Sequence, residues 1–216
     1  LILRPVAFKY RSKRESAAWR SRWDWTLFSG SAIPALLFGG AMGNVLQGVP
    51  FHFTDDLRPI YDGNFFGLLN PLAIACGLVS LLMIVNHGGA WLMLKADRQI
   101  ANRAQSVLGY TGFATAALFG ILGVAVFQGW FGGFQVTSEI DWSGPSNPLL
   151  KSVDTAPLAL LNNFNAVPLL WIFPLLGLGG ALLVSIFSST KNDFLTFLAS
   201  SLSVIGIIAT AGVSMF

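Results

Sequence analysis

No charged residue falls between Trp25 and Gln47. As a helix that run reaches ~33 Å at about 1.5 Å per residue, enough to cross a hydrocarbon core about 30 Å thick. A segment with no water to bond its backbone must satisfy every N–H and C=O internally, which makes a membrane-crossing helix the stable solution. The whole chain obeys the same constraint. Of its 216 residues 54% are hydrophobic and 11% are charged, against about 25% charged in a soluble domain. The expected fold is all-α, a polytopic transmembrane helix bundle with about five spans and the tail of a preceding helix.

The spans expected from hydropathy cover residues 25–47, 65–94, 105–130, 166–187 and 194–216. The second is ~45 Å long if helical throughout and should tilt, project beyond the bilayer or bend at Pro71. The fourth is interrupted by Pro168 and Pro174. Gly109, Gly112, Gly120 and Gly123 offer the third span close-contact positions. Charge assigns the sides. Of the thirteen Lys and Arg residues, all but Arg58 and Lys151 fall before the first span, at Lys95, Arg98 and Arg103, or at Lys191. The positive-inside rule therefore makes residues 4–24, 95–104 and 188–193 cytoplasmic and 48–64 and 131–165 outer loops. Glu139, Asp141 and Asp154 give the second outer loop an acidic balance. Trp19, Trp23 and Trp25 occupy the level of an interfacial aromatic belt, and the basic 4–24 segment meets membrane lipid rather than nucleic acid.

Polar groups inside the spans are few. Gly39 and Gly43 form a GxxxG pair suited to close helix approach, and Asn44 and Gln47 place two amides on one face. That face suits either a packing seam or a polar lining along which a cofactor or water chain lies. His87 shares a helical face with Ser80, Met83 and Trp91, with Asn86 beside it; it reads either as a satisfied histidine in a helix seam or as a proton relay. Asn70 precedes Pro71 and is placed to satisfy backbone groups near the proline. Arg4 is either one more positive-inside residue or an electrostatic group toward cofactors or an acidic partner. The lone Cys76 excludes an intrachain disulfide.

Several separated strings resemble one family. Arg4-Pro5-Val6 with Tyr10-Arg11-Ser12-Lys13, Trp19-Arg20, Trp23-Asp24-Trp25, and Gly43-Asn44-Val45-Leu46-Gln47-Gly48-Val49-Pro50-Phe51 are similar to subunit II of cytochrome bd ubiquinol oxidase, the bacterial terminal oxidase. Gly63-Asn64-Phe65-Phe66, Leu68-Leu69-Asn70-Pro71, Ser146-Asn147-Pro148-Leu149, Asn162-Asn163-Phe164-Asn165 and Thr210-Ala211-Gly212 continue the resemblance in the same order. It implies a multi-pass subunit of the bacterial cytoplasmic (inner) membrane, in a complex that oxidises quinol, reduces dioxygen to water and builds a proton-motive force. It also implies that haem b and haem d belong to the partner, subunit I, and that some second subunits hold a structural quinone. Leu1 in place of Met, and an apolar run still open at Phe216, read as a fragment running from the end of the family's third membrane helix through about the eighth. Such a fragment is expected to fold poorly alone.

The residues bear on the haem question independently. A transmembrane b-type haem needs two opposed axial ligands, commonly His or His and Met. His52 falls in an outer loop and His87 deep in the second span, while Met83 and His87 share one face; haem held by this chain alone is not expected. No catalytic or metal-ligating set is visible, and Gly177, Gly179 and Gly180 lie in a span without a preceding strand, so they indicate helix packing rather than a nucleotide loop. Two other functions fit the pattern of spans: a multispan solute or ion transporter, for which Gly and Pro interruptions would make discontinuous helices, and a purely structural assembly subunit.

Overall fold

The computed structural model describes residues 2–138, 143–144 and 151–215. Glu139, Asp141 and the 146–149 string lie outside the described residues. Among the described residues seven α-helices run in chain order: α1 (Leu3–Arg11), α2 (Ala17–Gln47), α3 (Pro71–Lys95), α4 (Arg98–Phe127), α5 (Asn162–Ala166), α6 (Ile172–Ser189) and α7 (Asp193–Met215). Five stretches are long and apolar enough to cross a membrane: α2, α3, α4, α7, and α6 together with the 3-10 turn Pro168–Trp171 that leads into it. The protein is a multi-pass helical membrane bundle in which α2 packs on α3, α3 on α4, α4 on α6 and α6 on α7, with α3 also meeting α7.

The helix starts correct three expectations. Residues 65–70 are not part of α3: Phe66–Leu68 form a 3-10 turn, and Pro71 begins the helix rather than bending it. Proline is pre-set for the first helical position because its missing N–H has no partner there anyway. Pro168 likewise opens a 3-10 turn, and Pro174 lies in the first turn of α6, so the two prolines introduce that span instead of interrupting it. α4 begins at Arg98, seven residues before the apolar run suggests, since Arg98 and Arg103 are compatible with a helix projecting beyond the apolar layer. α2 also projects: its first turns carry Arg20, Arg22 and Asp24.

α1 doubles back along α2. Arg11 pairs with Asp24 through Nε at 2.5 Å and through Nη2 at 3.2 Å. Trp19 Nε1 donates to the Tyr10 carbonyl at 2.9 Å, and the Tyr10 and Trp23 rings stack at 5.6 Å. Ala7 is fully buried in this elbow.

Two short antiparallel hairpins cap the opposite end, β1 (Phe51–Phe53) with β2 (Pro59–Tyr61), and β3 (Gly133–Val136) with β4 (Val153–Ala156). In the first, Leu57 N–H closes a turn onto the Thr54 carbonyl at 2.8 Å and Leu57 itself sits at φ 60°. A left-handed L-residue costs about 1–2 kcal/mol, and Leu57 is exposed. Leu57→Gly should therefore stabilise this hairpin by about 1 kcal/mol, read as slower amide hydrogen exchange over residues 51–61; unchanged or faster exchange would contradict it.

Close approach of backbones sets the bundle. A Cβ added at Gly43 would lie 2.7 Å from Ala73 Cα, and one at Gly77 2.8 Å from the Leu36 carbonyl oxygen. At Gly180 it would lie 2.6 Å from Ser203 N. In α4 the four glycines differ: Gly112 is closed in by Ser185 and Ala181, Gly120 makes ordinary contact, and Gly109 and Gly123 face open space. The spacing does not reveal which are contacts, because the partner helices are distant in sequence.

Candidate functional site

Three groups of polar side chains lie between the spans, each built by a different pair of helices. The first joins the end of α2 to the start of α3. Asn44 Nδ2 donates to the Gly40 carbonyl at 3.0 Å and to the Leu68 carbonyl at 2.9 Å, while its Oδ1 accepts from Asn70 Nδ2 at 2.8 Å. Asn70 is the N-cap of α3, its Oδ1 accepting from Ala73 N–H at 2.7 Å. The Asn44 amide thus has both donors and its acceptor engaged. It works as a staple between α2 and the turn that launches α3. Gln47, one turn further along α2, has a buried Oε1 with no hydrogen-bond partner among the described residues.

The second group lies between α3 and α4. Asn86, 2% exposed, donates from Nδ2 to Thr115 Oγ1 at 2.8 Å, and the Thr111 hydroxyl donates to Asn86 Oδ1 at 2.6 Å. The Thr115 hydroxyl donates in turn to the Thr111 carbonyl at 2.7 Å. In the sequence Asn86 stands out only as a neighbour of His87, and neither threonine stands out at all. The missing signal is spacing: Thr111 and Thr115 are one turn apart, so both hydroxyls can meet a single amide on a facing helix.

The third group contains His87. Its Nδ1 lies 3.1 Å from Ser200 Oγ on α7, and its ring lies 5.1 Å from that of Phe197. The Ser200 hydroxyl has the Phe197 carbonyl at 2.7 Å as acceptor. With that proton committed, the Ser200 oxygen is free to accept from His87 Nδ1–H. Nε2 forms no hydrogen bond among the described residues. Trp91, half exposed, packs on Phe197 at 5.4 Å, and Lys95 Nζ lies 5.9 Å from the Trp91 ring centre. Ser80 and Met83 precede His87 on the same face of α3 but share no hydrogen bond with it among the described residues.

These groups do not converge. Asn44, Asn70 and Gln47 are at the hairpin end of the bundle and His87 is toward the Lys95 end of α3, sixteen residues and about 24 Å of helix beyond Pro71. Arg4 is exposed beside Gly30, its Cγ 3.3 Å from the position a Cβ would take there. His52 is in β1, its Nδ1 on the Asp62 carboxylate at 2.7 Å. It does not face His87 across any space a macrocycle could fill, and no group of three His, Cys, Asp or Glu side chains capable of holding a metal occurs among the described residues. The residues present do not fit a haem held by this chain by itself.

Fold and polar groups together define a class: a multi-pass helical membrane protein in which Asn44, Asn86 and His87 each hydrogen-bond a neighbouring helix or turn. The pattern that defines the family described as cytochrome bd terminal oxidase subunit II matches residues 1–216, and the chain belongs to that family. It is 45% identical over all 216 residues to the "Probable cytochrome oxidase subunit 2" of Haemophilus influenzae. It is 41% identical, again over its whole length, to the "Cytochrome bd-I ubiquinol oxidase subunit 2" of Escherichia coli strain K12. Half of the chain aligns at 27% identity with 30% of the "Cytochrome bd ubiquinol oxidase subunit 2" of Bacillus subtilis. The chain spans 57% of the length of the first two relatives.

Several family strings acquire a physical role. Gly48 adopts φ 78°, and a Cβ there would run into the Phe134 ring, so the Gly after Gln47 lets α2 turn beneath β3. Phe164, 1% exposed, packs on Trp171 at 5.2 Å, and Asn163 Nδ2 donates to the Val213 carbonyl of α7 at 2.8 Å.

Proposed function

We propose that the chain forms part of the second subunit of a cytochrome bd-type quinol oxidase, a complex of the bacterial cytoplasmic membrane that couples quinol oxidation to reduction of dioxygen to water and builds a proton-motive force. The observation that carries this reading is the family match along the whole chain, joined to relatives at 41% and 45% identity whose own names are oxidase subunits. The haems b and d belong to the partner, subunit I, which supplies the opposed axial ligands this chain does not offer. This chain's contribution is a packed bundle against which the partner assembles. Its orientation follows charge: the end carrying the α1–α2 elbow, Lys95, Arg98, Arg103 and Lys191 faces the cytoplasm, and the hairpin end faces outward. A structural quinone in this subunit is compatible with the unpartnered Gln47 Oε1, which would accept a hydrogen bond from a reduced quinol hydroxyl.

The test is a reduced-minus-oxidised absorption spectrum of the complex captured by a tag on the full-length protein, together with oxygen uptake on added quinol. Bands of b-type and d-type haem with quinol-dependent uptake support the oxidase. A colourless, intact complex without such uptake overturns it and returns attention to a transporter or a purely structural subunit.

His87 is proposed as a proton-relay group within that complex. Its support is the combination of a fixed Nδ1 and an unbonded Nε2 on the cytoplasmic side of α3. His87→Phe should leave the haem spectrum intact and lower quinol-driven oxygen uptake severalfold, most at alkaline pH where protons are scarce. Uptake equal to the parent at every pH assigns His87 to helix packing instead.

A further inference from the structure

Where the α3–α4 turn meets the α6–α7 turn, a cavity of about 160 Å³ opens at the end of the bundle. Its floor includes Met93, 4% exposed, at the edge of the buried cluster of Ala90, Met93, Leu108 and Val184. Its rim is polar: Arg98, Asn102 and Gln105 from α4, and Lys191 and Asp193 from the turn into α7. These residues are ninety positions apart in sequence and are brought together by the packing of α4 on α6 and of α6 on α7.

Three features specify an occupant. Arg98, Lys191 and Asp193 form no ion pair among the described residues, although all three line one small space. Lys191 is held at φ 58°, its N–H on the Ser188 carbonyl at 3.1 Å and the next N–H on the Phe187 carbonyl at 3.1 Å, so the turn is closed by backbone bonds and the ammonium is left uncommitted. Finally, the cavity lies at the ends of membrane-spanning helices, the level of lipid headgroups, and an exposed apolar stripe of Phe194, Leu198 and Ile205 starts one residue beyond Asp193 and runs along α7.

We propose that this cavity binds the headgroup of an aminophospholipid, with its phosphodiester held by Arg98, Lys191 and the amides of Asn102 and Gln105, and its primary ammonium facing Asp193. Two cations and two amide donors match the oxygens of a phosphodiester. A site for a bare anion gains nothing from a carboxylate on its rim, whereas a zwitterionic headgroup needs one. The apolar stripe gives an acyl chain a surface to lie against, which a soluble phosphate would not use.

The full-length protein in its native complex, stripped of lipid in mild detergent, decides the matter by native mass spectrometry with added phosphatidylethanolamine, phosphatidylglycerol or inorganic phosphate. The parent should retain one more phosphatidylethanolamine per complex than R98Q/K191Q, whose affinity at this site should fall about tenfold to a hundredfold; R98K/K191R should retain it. D193N should erase the preference for phosphatidylethanolamine over phosphatidylglycerol while binding both. Equal retention by the parent and R98Q/K191Q overturns the proposal, and so does full displacement of the lipid by millimolar inorganic phosphate, which would assign the cavity to a soluble anion. Should R98Q/K191Q fail to assemble, D193N decides alone, because it keeps every cation at that end: an unchanged preference between the two lipids overturns the assignment.

Discussion

Gly206→Ala is expected to destabilise the helix bundle, although alanine ordinarily gains about 0.5–1 kcal/mol over glycine inside a helix. A Cβ at Gly206 would lie within 3 Å of three backbone atoms, Gly177 N, Gly177 Cα and the Phe173 carbonyl oxygen. Backbone cannot rotate away as a side chain can, so α6 and α7 must separate. Overpacking of this kind costs about 1–3 kcal/mol, and separation also weakens the bond from the Ser203 hydroxyl to the Gly177 carbonyl, 3.1 Å in the parent. Gly212→Ala, in the same helix with nothing within 4 Å, is the control and should be neutral or stabilising. Apparent melting temperatures of the detergent-purified, full-length complex separate the two; G206A melting at or above G212A would refute the close-approach account. Gly39 carries the same expectation on the other side of the bundle, where a Cβ would meet the Cys76 carbonyl oxygen and Gly77 Cα.

Asn70→Ala should be the most damaging of the polar substitutions. It removes the cap on Ala73 N–H and leaves Asn44 Oδ1 without its donor. Loss of an N-cap costs about 0.5–2 kcal/mol and an orphaned polar group about 1–3; together about 2 kcal/mol or more is expected. Asn70→Ser divides the effect, because serine can cap the helix yet is too short to reach Asn44, so its loss should be intermediate. Asn86→Leu, although at a more buried position, should cost less than Asn70→Ala. Without Asn86, the Thr111 hydroxyl can turn to the Val107 carbonyl, 3.0 Å away, and Thr115 already donates to Thr111. Thermal melts of the three variants give the order directly, and N86L proving worse than N70A would show that burial rather than the bookkeeping of donors and acceptors governs these sites.

Much of the bundle is legible in the sequence because lipid imposes a one-dimensional rule: a backbone without water must be helical, so apolar length alone locates the spans. The boundaries are less legible. Hydropathy carries the second span back to Phe65, yet Asn70 and Pro71 together write a helix start, a cap followed by a residue suited to the first helical position. That local signal was available, and apolar continuity obscured it. In α4 the reverse holds: the helix begins at Arg98, seven residues before the apolar run does, with Arg98 and Arg103 inside it.

The polar residues divide in the same way. Asn44, Gln47, Asn70 and His87 stand out in the sequence because amides and imidazoles are costly in lipid, and that cost requires partners without naming them. Tertiary structure supplies the names: Leu68 and Asn70 for Asn44, Ser200 for His87, and Thr111 and Thr115 for Asn86. His87 and Ser200 are 113 positions apart, and no periodicity within one helix encodes which face of another will meet it. The same holds for Arg98 and Lys191, which read separately as topology signals and become one cavity only through the packing of α4, α6 and α7. What the sequence determined by itself was the solvent the chain lives in, the number of crossings and the family strings; what the tertiary structure decided was pairing, because pairing depends on which small residues let two backbones approach and on which polar atoms that approach leaves facing each other.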